Sequence, residues 1–482
     1  MKLTDSTLLI ERCLVGGEWI GEPAIDVSNP ANGAVLARVP RFGKEEAASA
    51  IGKAEAAFPG WSKRVAKERS GILRRWYELI IENRDDLALI LTSEQGKPLA
   101  EAKGEVDIAA AYVEFYAEEA KRIYGETIPS HRADARIVVI RQPIGVVAAI
   151  TPWNFPASMI TRKVAPALAV GCTVVLKPAT ETPLTALALA KLAERAGMPA
   201  GVFNVITGKS AEIGAEMTSS RIVKAVSFTG STEVGKLLMQ QAASTVKKVG
   251  MELGGNAPFI VFDDAYVDAA VEGAIISKFR NMGQTCVCAN RIYAQDGIYH
   301  AFVQKLSKKV LEMKVGDGTE PGVVQGPLIN KAAIEKVETH IADAVGKGAK
   351  VVAGGKRHPL GNLFFEPTVL SDVTPQMLVT REETFGPIAP VYRFTDEADV
   401  IAQANATEFG LASYFYARDL GRVFRVAEAL EYGMVAVNTA RSTTEVVPFG
   451  GVKESGIGRE GSSHGVEEYV ELKYMLLGGL DR

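Results

Sequence analysis

Apolar and polar positions change rhythm along this chain, and each rhythm predicts a type of element. Between residues 14 and 41, short apolar runs are cut by Gly-Gly, Asn-Pro and Asn-Gly pairs, the pattern of strands and turns. Residues 44–123 switch to helical spacing in segments rich in Ala, Glu, Lys and Leu. Ile137 to Ile150 reads as two strands broken at Pro143. The first is flanked by Arg136 and Arg141, as in an exposed hairpin; the second is continuously apolar, as in a buried parallel strand. A strand–helix alternation follows, with strands at 171–177, 202–205 and 225–227 and helices at 185–197, 211–217 and 234–243. The pattern restarts with a strand at 259–262, a helix at 267–280, a strand at 291–294 and a helix at 298–313, and continues to about residue 440. Residues 469–477 are apolar and strand-like on a Gly-rich tether, 449–461.

Such alternation predicts the α/β class, with parallel sheets covered by helices and ligands at the carboxyl ends of the strands. The length, 482 residues, carries a prior of roughly three domains. The 137–141 strand and the tail are candidates for pairing between subunits, or for edge strands of their own subunit. Composition narrows the function classes. A net charge of −3 gives no electrostatic footprint for nucleic acid or an anionic membrane surface. No apolar run reaches the ~18 residues of a membrane span. Leu8-Leu9-Ile10 is broken at once by Glu11 and Arg12, so a signal peptide is not expected. Four scattered cysteines without a CxxC or a Cys/His cluster predict a cytoplasmic protein in a reducing compartment, with neither a disulfide framework nor a metal.

Two of those cysteines, Cys286 and Cys288, fall just past the 267–280 helix, whose apolar positions are 267, 270, 271, 274, 275 and 279. Gly283 reads as the helix stop. Cys286 is then either an accessible nucleophile or a small buried hydrophobe. Phe228 to Gly235 lies where a strand turns into a helix, so Gly230 and Ser231 offer bare backbone N–H groups to phosphate, although the segment is neither GxGxxG nor a P-loop. Lys177 ends a buried-looking strand at the ligand side of a parallel sheet. Glu252 precedes Gly254-Gly255 and is separated from Cys286 by one strand and one helix, so the two can meet; a solvated loop Glu is the alternative. All five histidines are distant in sequence from Cys286, which weakens a cysteine acyltransferase or esterase.

Thr151-Pro152-Trp153-Asn154-Phe155-Pro156, Phe228 to Gly235, Glu252-Leu253-Gly254-Gly255, Gly283-Gln284-Thr285-Cys286 and Glu382-Glu383-Thr384-Phe385-Gly386-Pro387 occur in one order over nearly the whole chain. In this the sequence resembles the NAD(P)-dependent aldehyde dehydrogenases. With the Cys-Val-Cys pair, residues 125–141 and Arg162-Lys163, it is most similar to the succinate-semialdehyde and glutarate-semialdehyde enzymes. The resemblance implies a dinucleotide-binding domain at 1–123 and 142–251, a catalytic domain at 252–445, and oligomerisation strands at 124–141 and 462–482 that build a homodimer or homotetramer. It implies Cys286 as nucleophile, Asn154 as oxyanion donor and Glu252 as the base that hydrolyses the thioester. Trp153, Lys177, Thr180, Gly230, Ser231, Glu383 and Phe385 would hold the cofactor. Thr180 stands where a carboxylate would repel a 2′-phosphate, so NAD and NADP are both expected, with Glu181 beside it.

The implied substrate is a small aldehyde with an anionic tail, held by Arg162, Arg280 and Thr443. The loop Asn438 to Glu445 departs from the family pattern and adds Arg441, at the pocket mouth or in a surface salt bridge. An inward Arg441 would admit glutarate semialdehyde, sulfolactaldehyde or a phosphorylated aldehyde. Cys288, two residues from Cys286, suggests a redox switch through a strained disulfide, provided both thiols are accessible.

Overall fold

The computed structural model describes residues 1–481. The first sheet holds eight strands in the order Gly456–Ile457, Lys248–Glu252, Val223–Thr229, Val146–Ile150, Thr173–Lys177, Phe203–Val205, Cys13–Val15 and Glu18–Ile20. Its five central strands run parallel and its edges are antiparallel. Val146–Ile150, Thr173–Lys177 and Phe203–Val205 succeed one another outward on one side. The chain then crosses to lay Val223–Thr229 against the other side of Val146–Ile150. That reversal opens a crevice between the loops after Ile150 and after Thr229, the place where parallel sheets take ligands.

The second sheet has seven strands, ordered Lys350–Ala353, Thr368–Ser371, Ile388–Phe394, Ala289–Gln295, Ala257–Val261, Ala412–Tyr416 and Met434–Val437, all parallel except the first. Its two central strands decide where the chemistry falls. Ala257 pairs with Ala289, so the residues leading into each strand, Glu252 to Asn256 and Gly283 to Cys288, meet at one end of the sheet. The strands Ala257–Val261 and Ala289–Gln295 are buried nearly throughout; the first is continuously apolar, and the second buries Asn290 and Arg291 as well.

The tail Val470–Leu477 pairs antiparallel with Arg136–Pro143 of its own chain over eight positions, and Glu126–Ile128 completes a three-stranded sheet. Leu472, Tyr474 and Leu476, alternate positions that share one face, are exposed. No helix among the described residues is long and apolar enough to cross a membrane.

The periodicity placed most elements within a few residues, with two informative differences. Lys248–Glu252 is a strand, not a loop; three of its five residues are only half-buried beside an edge strand, so it lacks the apolar run that marks its neighbours. The helix Val267–Phe279 stops four residues before Gly283. Asn281 and Met282 then take left-handed backbone, φ 50° and 55°, ahead of Gly283 at φ 73°. Asn281 is held there because its N–H donates to Glu101 (2.8 Å) and its Nδ2 donates to the Asn154 carbonyl (3.0 Å). An added Cβ on Gly283 would run into the Gly386 carbonyl oxygen. Gly283→Ala is therefore expected to cost about 1–3 kcal/mol through left-handed strain plus overpacking. The urea midpoint should fall with an unchanged slope; an unmoved midpoint would contradict the close approach.

Candidate active site

Cys286 stands between two openings. On one side is a cavity whose lining includes Cys286, Phe155, Arg162, Arg280, Thr443 and Phe449. On the other is a cleft lined by Trp153, Asn154, Gly230, Ser231, Glu383, Phe385 and again Cys286. The Cys286 loop reaches this position by close backbone packing, since a Cβ on Gly255 would collide with the Cys286 carbonyl oxygen. Burial pushes the Cys286 thiol up to about 12, with Arg162 pulling in the other direction. At neutral pH the free thiol is protonated and needs a base.

Asn154 is fixed from both sides. Its carbonyl accepts from Lys97 Nζ (2.7 Å) and Asn281 Nδ2 (3.0 Å). Its Nδ2 donates to the Gln284 carbonyl (3.1 Å), which leaves one amide hydrogen uncommitted among the described residues. Lys97 is buried and paired with Glu105 (2.5 Å), and its ammonium lies 3.7 Å from the Phe155 ring centroid. Glu105 also accepts from the N–H of Ala157 (2.8 Å) and Ser158 (3.3 Å), which caps the helix Ser158–Val170 with a carboxylate. That helix carries Arg162 and Lys163, both buried. Arg162 stacks on Phe449 at 3.9 Å and pairs with Glu460, which also pairs with Lys163. Arg280 is exposed at the cavity rim, 4.9 Å from the Phe155 ring.

Glu252 ends its strand in a buried position, and neither carboxylate oxygen has a hydrogen-bond partner among the described residues. Burial, then the charge of Glu460, raises it well above the ordinary carboxylate range, against Arg162 and Lys163. An unpaired, proton-holding carboxyl at this depth is suited to proton transfer near neutral pH.

The second opening fits a nicotinamide dinucleotide. Ser231 caps the 11-residue helix Thr232–Ala242, and a Cβ on Gly230 would strike the Phe228 ring, so the turn stays bare for phosphate. The Trp153 and Phe385 rings meet edge-on at 5.5 Å. Glu383 accepts from the Gly255 N–H (3.1 Å), and burial pushes its carboxyl up to about 7. Lys177 is buried at the strand end, donates to the Pro178 carbonyl (3.0 Å), and is pushed down to about 8 by burial. Thr180 is half-buried and Glu181 exposed just beyond it; Lys177 and Thr180 stand apart from the residues that line the cleft around Cys286.

Two expectations need correcting. Cys288 is fully buried, its thiol 3.2 Å from Lys278 Nζ, and burial raises its pKa, so the accessible, low-pKa partner that a Cys286–Cys288 switch requires is not there. Arg441 is exposed, does not line the cavity, and forms no ion pair among the described residues, so neither the inward position nor the surface salt bridge is found. Lys97, Glu105, Glu460 and Lys336 escaped the sequence reading, and Lys163 was given no role in it, because an isolated charged residue carries no sign of burial. Lys336 lines the cleft and donates to the Glu383 carbonyl (2.6 Å). The Arg162-Lys163 pair in an otherwise apolar helix was the one available signal.

Because the thiol is protonated at rest, iodoacetamide should alkylate Cys286 of the cofactor-free enzyme slowly at pH 7. The rate should climb steadily through about pH 9, as expected of a thiol raised above its ordinary range. A plateau already reached below about pH 8 would contradict a raised thiol.

A profile of the aldehyde dehydrogenase family matches residues 19–475. The chain is 62% identical to a succinate-semialdehyde dehydrogenase [NADP(+)] of Escherichia coli, over 99% of this chain and 100% of that protein. It is equally 62% identical to a glutarate-semialdehyde dehydrogenase of Pseudomonas aeruginosa, over 100% of each. The crystal structure of a succinate-semialdehyde dehydrogenase from Burkholderia pseudomallei superposes with a TM-score of 0.98 at 59% identity, covering 99% of this chain and 100% of that one. With a cysteine between two openings, an unpaired buried glutamate beside it and a full-length match, this chain belongs to the aldehyde dehydrogenase family.

Proposed function

We propose that this enzyme oxidises a short aldehyde with an anionic tail, succinate semialdehyde in the first place, to the carboxylic acid with NAD(P). The observation that carries the reading is that Arg162, Arg280 and Thr443 line the same cavity as the Cys286 thiol. Two guanidinium groups and a hydroxyl in the lining of one cavity suit a carboxylate, which guanidinium binds in bidentate fashion. Similarity to enzymes named for succinate semialdehyde and for glutarate semialdehyde supports the class and leaves tail length as the variable.

The chain's residues divide the work. Once ionised, Glu252 takes the thiol proton and hands it to solvent, and Cys286 sulfur attacks the aldehyde carbon to give a tetrahedral thiohemiacetal. The free Asn154 amide hydrogen and the Cys286 backbone N–H hold its oxygen; one such donor is typically worth ~10²–10³ in rate. The bound dinucleotide supplies the hydride acceptor. Glu252 then takes a proton from the water that attacks the Cys286 thioester and frees the acid. A base beside the thioester favours water over a thiol acceptor.

Trp153, Gly230, Ser231, Glu383 and Phe385 hold the nicotinamide side and the phosphates, with Lys177 and Thr180 at the adenine-side ribose. Small, neutral Thr180 admits a 2′-phosphate, in line with the NADP(+) in the name of the Escherichia coli relative. A homodimer or homotetramer built on the tail strand is supported by the apolar exposure of Leu472, Tyr474 and Leu476.

The test is an aldehyde panel with both cofactors: succinate semialdehyde, glutarate semialdehyde and butanal. The anionic aldehydes should be preferred in kcat/KM, and Arg280→Gln should raise KM for them by about 10- to 100-fold, the worth of a charge-assisted contact. Butanal should respond little. Equal loss for butanal would contradict a tail-binding role for Arg280.

A further inference from the structure

One residue links tail recognition to the base. The Glu460 carboxylate lies between two buried cations, one oxygen on Arg162 and the other on Lys163. Its backbone is bridged to Phe449 by a reciprocal pair of N–H···O bonds (2.7 and 2.8 Å), and the Phe449 ring stacks on the Arg162 guanidinium. Phe449 and Glu460 thus clamp Arg162 from its face and its edge. Lys163 is held further by donating to Ser227 Oγ (3.2 Å).

The charges do not cancel. With Lys163 held protonated by its contact with Glu460, against the burial that lowers its pKa, Arg162 and Lys163 bring two positive charges and Glu460 one negative, which leaves one positive charge in surplus beside the cavity. Glu252 has no hydrogen bond of its own among the described residues, and its Oε1 lies 2.9 Å from where a Cβ on Gly450, the neighbour of Phe449, would stand. The other charged or titratable groups around it are Arg459, which favours its anion, and the Cys286 thiol. Around Glu460 stand the phenols of Tyr112, Tyr116 and Tyr469, which burial keeps neutral, and the Glu468 carboxyl. No second anion among these sits within the Arg162–Lys163 pair.

We propose that Glu460 is a positioning residue that makes Glu252 and the anionic tail of the substrate compete for one surplus positive charge. The proposal rests on the reading of Arg162 as tail-binding and Glu252 as base. A tail carboxylate arriving at Arg162 uses that charge, so Glu252 keeps its proton to higher pH than it does with a neutral aldehyde in the cavity. Without the Glu460 charge, Glu252 faces two cations and ionises at lower pH, whichever aldehyde is bound.

The readout is the pH dependence of acid release from the thioester in single turnovers, with succinate semialdehyde and with butanal, for the wild type and Glu460→Gln. In the wild type the acid limb should lie about 0.5–1.5 pH units higher with succinate semialdehyde, the size expected of one charge at this range. In Glu460→Gln both limbs should move down by about one unit, and Glu460→Asp should bring them back. A purely structural role for Glu460 would change rates without moving the limbs. Coincident wild-type limbs, or limbs unmoved in Glu460→Gln, would overturn the proposal. The wild-type pair decides by itself if Glu460→Gln does not fold. Failure of the underlying reading looks different: butanal would then match succinate semialdehyde in KM, or acid release would show no acid limb at all.

Discussion

The site depends on two backbones packed against each other where glycine alone fits. The Cys286 carbonyl lies against Gly255, and the Gly386 carbonyl lies against Gly283. These contacts fasten the cysteine loop to the segment after Glu252 and to the loop that carries Glu383. They follow from the pairing of Ala257 with Ala289, which brings the lead-in segments of two neighbouring strands to one place. A side chain at either glycine would push the loops apart, and the wall between the two openings would go with them. Interiors this densely packed do not absorb an added methyl group without a shift.

Around that fixed loop, charge is arranged unevenly. Moving an ion out of water costs several kcal/mol unless a partner compensates, and most buried ions here have one. Lys97 has Glu105, and Arg162 and Lys163 share Glu460. Glu252 has no such partner: neither of its carboxylate oxygens is hydrogen-bonded among the described residues, and it meets the cost by holding a proton. The same desolvation keeps the Cys286 thiol protonated. Both groups therefore resist ionisation in water-poor surroundings, and Glu252 must give up its own proton before it can accept one from the Cys286 thiol.

Helices and buried strands were legible in the sequence because periodicity records burial directly, as in Ala257–Val261 and Val267–Phe279. The Lys248–Glu252 strand was not, because its half-buried position next to the edge strand needs no apolar run. Cys286, Asn154 and Glu252 were singled out through motifs whose joint order is specific; Cys286 and Asn154 line one cleft, and Glu252 is buried at the end of its strand. What the sequence could not carry was orientation. Cys288 and Cys286 look alike in a list of residues, yet one faces Lys278 in the interior and the other faces the cavity. Arg162 was implied by the resemblance and Arg441 left open between the pocket mouth and the surface; the fold buries the first and exposes the second. Glu460 and Lys163 meet across 297 positions, a contact with no local trace.

The central claim, that Cys286 carries the substrate as a thioester after oxidation, is tested most directly by rapid acid quenching of enzyme mixed with succinate semialdehyde and oxidised cofactor, followed by peptide mapping. The account predicts a succinyl group on the peptide bearing Cys286, formed only when the oxidised cofactor is present. An adduct on another residue, or acid formed with no acyl group ever found on Cys286, would contradict it.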